Sequence, residues 1–125
     1  MNPREYLRFT HMLEMGETVA NFVKGRTRED LDADQVFMMG LRMVIALIGE
    51  AASQIPRATQ ANYGQIPWPQ IIGMRNRLIH GYDEVNLDLV WHTATQHIPI
   101  MVTLLREVLD ALPPSDPEAG EADAK

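Results

Sequence analysis

The sequence predicts an all-α protein, an up-and-down bundle of about four long helices with room for short extra helical turns. Three observations carry this prediction. Apolar residues recur at helical spacing through four segments. Residues that favour helix starts and stops bracket those segments. No stretch shows the strict alternation of a half-buried strand, and no internal repeat is visible.

The first helix starts at Asn2, a good cap, with Pro3 suited to the first turn. Tyr6, Phe9, Leu13, Ala20 and Val23 keep helical spacing, with Met12 and Val19 beside them. Gly25 follows Lys24 and marks the end. Residues 26–34 are polar, and Thr27 or Asp32 is the expected cap of the next helix. That second helix runs from about Ala33 to Gln54. It is apolar nearly all round, from Val36 and Phe37 to Ala51 and Ala52, so it should be central or covered on its outer side by a partner subunit. Gly40 and Gly49 lie inside it. They mark either close helix approach or plain tolerance. Pro56 stops it, and residues 57–65 read as a polar loop. The run Ile66-Pro67-Trp68-Pro69 opens a third helix through Ile71, Ile72 and Met74. Asn86 caps a fourth, with Asp88 in its first turn complementing the dipole. Leu87, Val90, Trp91, Ala94, Ile98, Met101, Leu104, Leu105 and Val108 form its apolar stripe. Pro113-Pro114 ends it. Two regions follow from this: a helical domain at 1–112 and an acidic disordered tail at 113–125.

Composition narrows the chemistry. With no cysteine among 125 residues, disulfides, zinc–thiolate sites and cysteine nucleophiles are excluded. The net charge is −6, and the body carries 10 Lys/Arg against 13 Asp/Glu. A broad basic face for non-specific nucleic-acid binding is therefore absent, and any RNA contact must come from a local arginine cluster. No apolar leader opens the chain. The apolar run from Val36 to Gly49 is expected to be too short and too interrupted for a membrane span. A soluble, cytoplasmic protein without a membrane partner is the expectation.

The densest group of reactive side chains is Arg75-Asn76-Arg77-Leu78-Ile79-His80-Gly81-Tyr82. Asn76 and His80 stand four apart and share a helix face. Arg75, Ile79 and Tyr82 form a neighbouring stripe. Gly81 is the expected helix end, which lets Tyr82 turn back. Such a set suits RNA cleavage without a metal or cofactor. One group removes the ribose 2′-OH proton, another protonates the leaving 5′-oxygen, and a cation stabilises the charged phosphoryl oxygens. His80 fits either proton role and Arg75 the electrostatic one. One chain offers one such histidine, so two subunits would supply base and acid. The competing reading is an ordinary helix end, with His80 capping carbonyls and Arg75 solvated.

The pattern Arg75-x4-His80-x-Tyr82 resembles the signature of the HepT-like branch of the HEPN superfamily. Other landmarks follow in family order: His11-Met12-Leu13, Ile48-Gly49-Glu50-Ala51-Ala52, Ile66-Pro67-Trp68, Gly73-Met74-Arg75-Asn76 and Val90-Trp91. Together they cover about residues 4–110. The resemblance implies a HEPN-type helical homodimer with two motifs facing across a shared cleft. It implies a ribonuclease toxin of a HepT/MntA-type toxin–antitoxin pair, with Arg75 and His80 catalytic and Asn76 and Tyr82 in support. It further implies an MntA-like nucleotidyltransferase antitoxin that places AMP on Tyr82. A different use seen in similar proteins is a non-catalytic HEPN nucleotide-binding or adaptor subunit of a nucleotidyltransferase.

The remaining polar residues point to structure more than to chemistry. His11 is expected at a partly buried edge of the first helix. His92 and His97, five apart, are expected to diverge and make a poor metal pair. Asp83-Glu84 fits a solvated turn better than a metal site. Glu50 interrupts an apolar helix and needs a partner among Arg42, Arg75 and Arg77. Trp68 and Trp91 sit in core patterns. Arg77 faces solvent or substrate.

Overall fold

The computed structural model describes residues 1–112; the expected acidic tail at 113–125 lies outside them. Every regular element among the described residues is helical. Helix α1 spans Pro3–Val23. Its start is a capping box: the Glu5 N–H donates to Asn2 Oδ1 at 2.9 Å, and the Asn2 N–H donates to Glu5 Oε2 at 3.3 Å. The buried Glu5 carboxylate also accepts from the Thr59 hydroxyl at 2.7 Å. Gly25 turns the chain at φ 74°, a conformation that favours glycine.

A short helix α2 (Asp30–Ala33) precedes α3 (Gln35–Ser53). The cap of α3 is Asp34, not Thr27 or Asp32. Its side chain accepts from the Phe37 N–H at 3.0 Å. That bond, followed by the Arg26 guanidinium, holds the Asp34 carboxyl below the usual carboxylate range. Asp32 lies inside α2, where Arg28 bridges it to Asp88. After Pro56 the chain forms α4 (Arg57–Asn62) where a loop was expected. This helix buries no residue, so no apolar stripe announces it. Helix α5 covers Trp68–His80, with Pro69 in its first turn, and a 3₁₀ turn follows at Tyr82–Glu84.

The last long helix is not continuous α. Helix α6 (Leu87–His92), capped by Asn86, widens into a π segment at Thr93–His97 and resumes as α7 (Ile98–Ala111). Pro99 accounts for the widening. It has no N–H for the carbonyl of Thr95, and its ring would crowd that carbonyl in a regular helix. One wider turn relieves both problems.

Helix α3 packs against α1 and α5, and α1 packs against α7. Phe9, Met12, Leu41, Ile45, Ile71 and Leu105 are fully buried between them. The outer face of α3 stays apolar and open: Val36 is 84% exposed, Met43 61% and Leu47 48%. With 19 residues at a mean hydropathy of 1.6, α3 is long and apolar enough by length and composition to cross a membrane. That corrects the expectation of a run too short to do so. Its apolarity serves two faces, one in the core and one outward. Of its two charged residues, Glu50 bonds to Arg75 of α5 and Arg42 to the 3₁₀ turn that follows.

Two glycines set the closest helix contacts. A Cβ on Gly16 would press into the Val102 and Met101 side chains. A Cβ on Gly49 would overlap the Cβ of Arg75 and approach the Ile71 carbonyl oxygen to 3.0 Å. The alternative left open for Gly49 thus resolves to close approach. Gly49→Ala should destabilise the protein by about 1–3 kcal/mol, although alanine is the better helix former. Gly73→Ala, with nothing within 4 Å of its Cβ, should stabilise by about 0.5–1 kcal/mol. Urea unfolding of the two variants beside the parent checks the opposite signs.

Candidate functional site

The motif occupies the last turns of α5 and the 3₁₀ turn beyond it. Arg75 lies half-buried against Gly49. Its Nη2 donates to Glu50 Oε2 at 2.7 Å, and its Nη1 donates to Asn76 Oδ1 at 2.8 Å. Its Nε is buried without a hydrogen-bond partner among the described residues. The partner sought for Glu50 is therefore Arg75 and not Arg42 or Arg77. Charge-assisted bonds on two edges fix the direction of the guanidinium.

Asn76 and His80 share one exposed face, as the spacing requires. His80 has no hydrogen-bond or ion-pair partner among the described residues. It does not cap a carbonyl, so the ordinary helix-end reading of this residue fails. The helix end is made by the main chain, where the Gly81 N–H donates to the Arg77 carbonyl at 3.0 Å. Gly81 has φ −124°, so it does not use the left-handed freedom of glycine. What a side chain would meet there is the Arg77 carbonyl oxygen, 3.3 Å from a Cβ.

Tyr82 is 69% exposed. Its main-chain carbonyl accepts from Arg42 Nη2 at 2.9 Å, so α3 holds the backbone while the ring stays outside. Arg42 is the residue whose role at the motif sequence reasoning missed. The available signal was an arginine set in the apolar run of α3. A groove of about 600 Å³ runs between these elements, with Met39, Met43, Leu47, Ile79 and Tyr82 along it and Glu50 at one side. The motif thus borders the open apolar face of α3.

The other candidates sort clearly. His11 is exposed and not at a buried edge. Trp68 is buried, and its Nε1–H donates to the Tyr63 carbonyl at 3.1 Å. Trp91 packs against the core. Asp83 and Glu84 are exposed in the 3₁₀ turn. No three or more His, Asp or Glu converge on a metal-sized site among the described residues. His92 and His97 do not diverge: their rings meet edge to face with centroids 5.0 Å apart. The π segment explains the correction. An i→i+5 turn brings residues five apart into register, which a regular α-helix does not do. Burial, followed by the neighbouring His92, lowers the pKa of His97. Arg77 turns away from Arg75 to a separate groove with His97.

Residues 12–108 match the family model described as Ribonuclease HepT-like. A relative from Caldanaerobacter subterraneus subsp. tengcongensis, named as a presumed RNase, is 35% identical over 107 residues. That alignment covers 86% of this chain and 94% of the relative. One from Methanocaldococcus jannaschii, also named as a presumed RNase, is 33% identical over 70% of this chain and 73% of its own. A Thermococcus cleftensis protein named "Probable ribonuclease HepT" is 30% identical over 66% of this chain and 76% of its own. No solved structure matches. The all-helical bundle, the motif at the end of α5 and the match over most of the chain agree: this protein belongs to the HepT-like ribonuclease family.

Proposed function

We propose that the chain is an RNA endonuclease that acts as a homodimer, without metal, and serves as the toxin of a toxin–antitoxin pair in the cytoplasm. The observation that carries this reading is the pairing of an oriented cation with a free base. Arg75 is aimed by Glu50 and Asn76, while His80 beside Asn76 stays exposed and unbonded. In the proposed reaction His80 removes the 2′-OH proton. The 2′-oxygen attacks phosphorus, the bond to the 5′-oxygen breaks, and a 2′,3′-cyclic phosphate forms. The His80 of a second copy donates the proton that the leaving oxygen takes up. Arg75 stabilises the charge on the phosphoryl oxygens. DNA, lacking the 2′-OH, stays intact.

The second copy has a place to sit. The open face of α3 carries Val36, Met39, Met43 and Leu47 and continues into Ile79 and Tyr82 beside the motif. Exposed apolar patches of this kind support an interface, and burial of this one sets two motifs near each other. In the same reading, a nucleotidyltransferase antitoxin transfers AMP from ATP to the exposed Tyr82 hydroxyl with release of pyrophosphate. The added anion then competes for the Arg75 phosphate position.

Four outcomes are expected. Arg75→Ala and His80→Ala should each lower cleavage of a fluorescent RNA by roughly 100-fold or more. Parent-like cleavage by both would sink the nuclease assignment. Glu50→Gln should lose less than Arg75→Ala, since the amide oxygen still accepts from the guanidinium. Met43→Glu combined with Leu47→Glu should turn a dimer into a monomer in sedimentation, and an unchanged mass would rule out this face. Incubation with the partner transferase and ATP should add one adenylyl mass to the parent and none to Tyr82→Phe. Equal modification of both would remove Tyr82 as the acceptor.

A further inference from the structure

The groove that holds Arg77 is separate from the apolar one beside Tyr82. It has a volume of about 260 Å³ and lies between α5 and the α6–π segment. Gln70, Gly73 and Arg77 line its α5 side, and Leu89 and His97 its other side, with Met74 at the base. Its size falls just under that of drug-sized ligand pockets, about 300–1,000 Å³, and suits one flat ring with a polar edge.

Three features of this groove call for a ligand. The Arg77 side chain makes no hydrogen bond or ion pair among the described residues. It is a permanent cation with a planar fork of donors that matches phosphate geometry. His97 has a buried Nδ1 with no partner. The ring itself lines the groove. Gly73 leaves open space, because nothing lies within 4 Å of a Cβ placed there. Phosphate donor, apolar floor and an imidazole ring at the wall together match a nucleotide: phosphate, base face and base edge.

The position along α5 says which nucleotide. Gly73, Arg77 and His80 follow one another at spacings of four and three, so they form one stripe of the helix surface. Arg77 and His80 are about 4.5 Å apart along the axis. A strand whose scissile phosphate sits at His80 therefore passes Arg77 next. Single-stranded RNA is read in this way, with a base splayed into a pocket and hydrogen-bonded on its edge.

We infer that the groove between α5 and the α6–π segment is a subsite for the nucleotide flanking the cleavage point. Arg77 holds its phosphate, Met74 and Leu89 take the base face, and His97 meets the base edge. This rests on the nuclease reading for its place in the strand, but it is tested by binding and not by cleavage.

The probe is a short fluorescent oligoribonucleotide, 2′-O-methylated so that it cannot be cut, titrated into the full chain and followed by anisotropy. A second probe is free 5′-AMP. Arg77→Ala should weaken oligonucleotide binding roughly 5- to 20-fold. Gly73→Leu should do the same by filling the groove, in a variant whose helix is a better former than the parent, so that loss of fold is not the cause. His97→Phe should weaken binding less and flatten the preference among oligonucleotides that differ in one base. The distant Arg57→Ala serves as control and should bind like the parent. Parent-like binding by both Arg77→Ala and Gly73→Leu overturns the subsite, as does failure of the parent to bind the oligonucleotide. Loss of 5′-AMP binding with oligonucleotide binding intact also overturns it, and shows a free-nucleotide site instead. Groove-dependent binding by a protein that cuts no RNA would end the nuclease reading and leave the subsite standing. Normal cleavage and binding by the groove variants would do the reverse.

Discussion

Arg75 lies on a bare stretch of helix. Gly49 has no side chain, so α5 can come down on α3 until the Arg75 stem touches the α3 backbone. At that distance Glu50, the next residue, reaches the guanidinium at 2.7 Å. A larger residue at position 49 would push α5 outward and lengthen this bond. The direction of the motif cation is thus a matter of helix packing, and the central helix of the core is also the support of the site. Surface ion pairs elsewhere, such as Arg106 with Glu17 at 3.6 Å, are worth little. The Arg75–Glu50 pair differs because its geometry is imposed from below by a close contact.

Much of the bundle was legible because helix signals are local. Asn2, Gly25 and Asn86 do what their residue types favour, since caps and helix ends depend on a few neighbouring backbone groups. Helix α4 was not legible, because a helix that buries nothing has no apolar period to detect. The cap of α3 was misplaced within a run of four acidic residues between Glu29 and Asp34. Any of them can cap, and only the position of α2 decides among them. The motif was legible as a cluster of residue types, and Asn76 beside His80 followed from spacing alone. The Glu50 partner and the hold of Arg42 on the Tyr82 carbonyl were not. Both join positions far apart in sequence, and side-chain type restricts such pairs without choosing among them.

Helix α3 shows how one composition can serve two environments. A helix apolar on all sides was expected to be central or covered by a partner, and it is central with an uncovered outer face. The charged exceptions are spent on α5 and the turn after it: Glu50 on Arg75 and Arg42 on the Tyr82 carbonyl. Every remaining side of the helix is left for apolar contact. The motif therefore sits where a half-buried ion pair, a main-chain clamp and an open apolar surface meet, and α3 has a part in all three.

The wide turn at Thr93–His97 has a consequence for comparing chains. A π turn is one residue longer than the α turn it replaces, so it behaves as a one-residue insertion absorbed inside a helix. A relative without Pro99 has no need of that extra residue. Its regular helix would carry the same apolar stripe with one position fewer, and the gap in an alignment would fall within a helix and not in a loop. In such a relative the counterparts of His92 and His97 would no longer face one another.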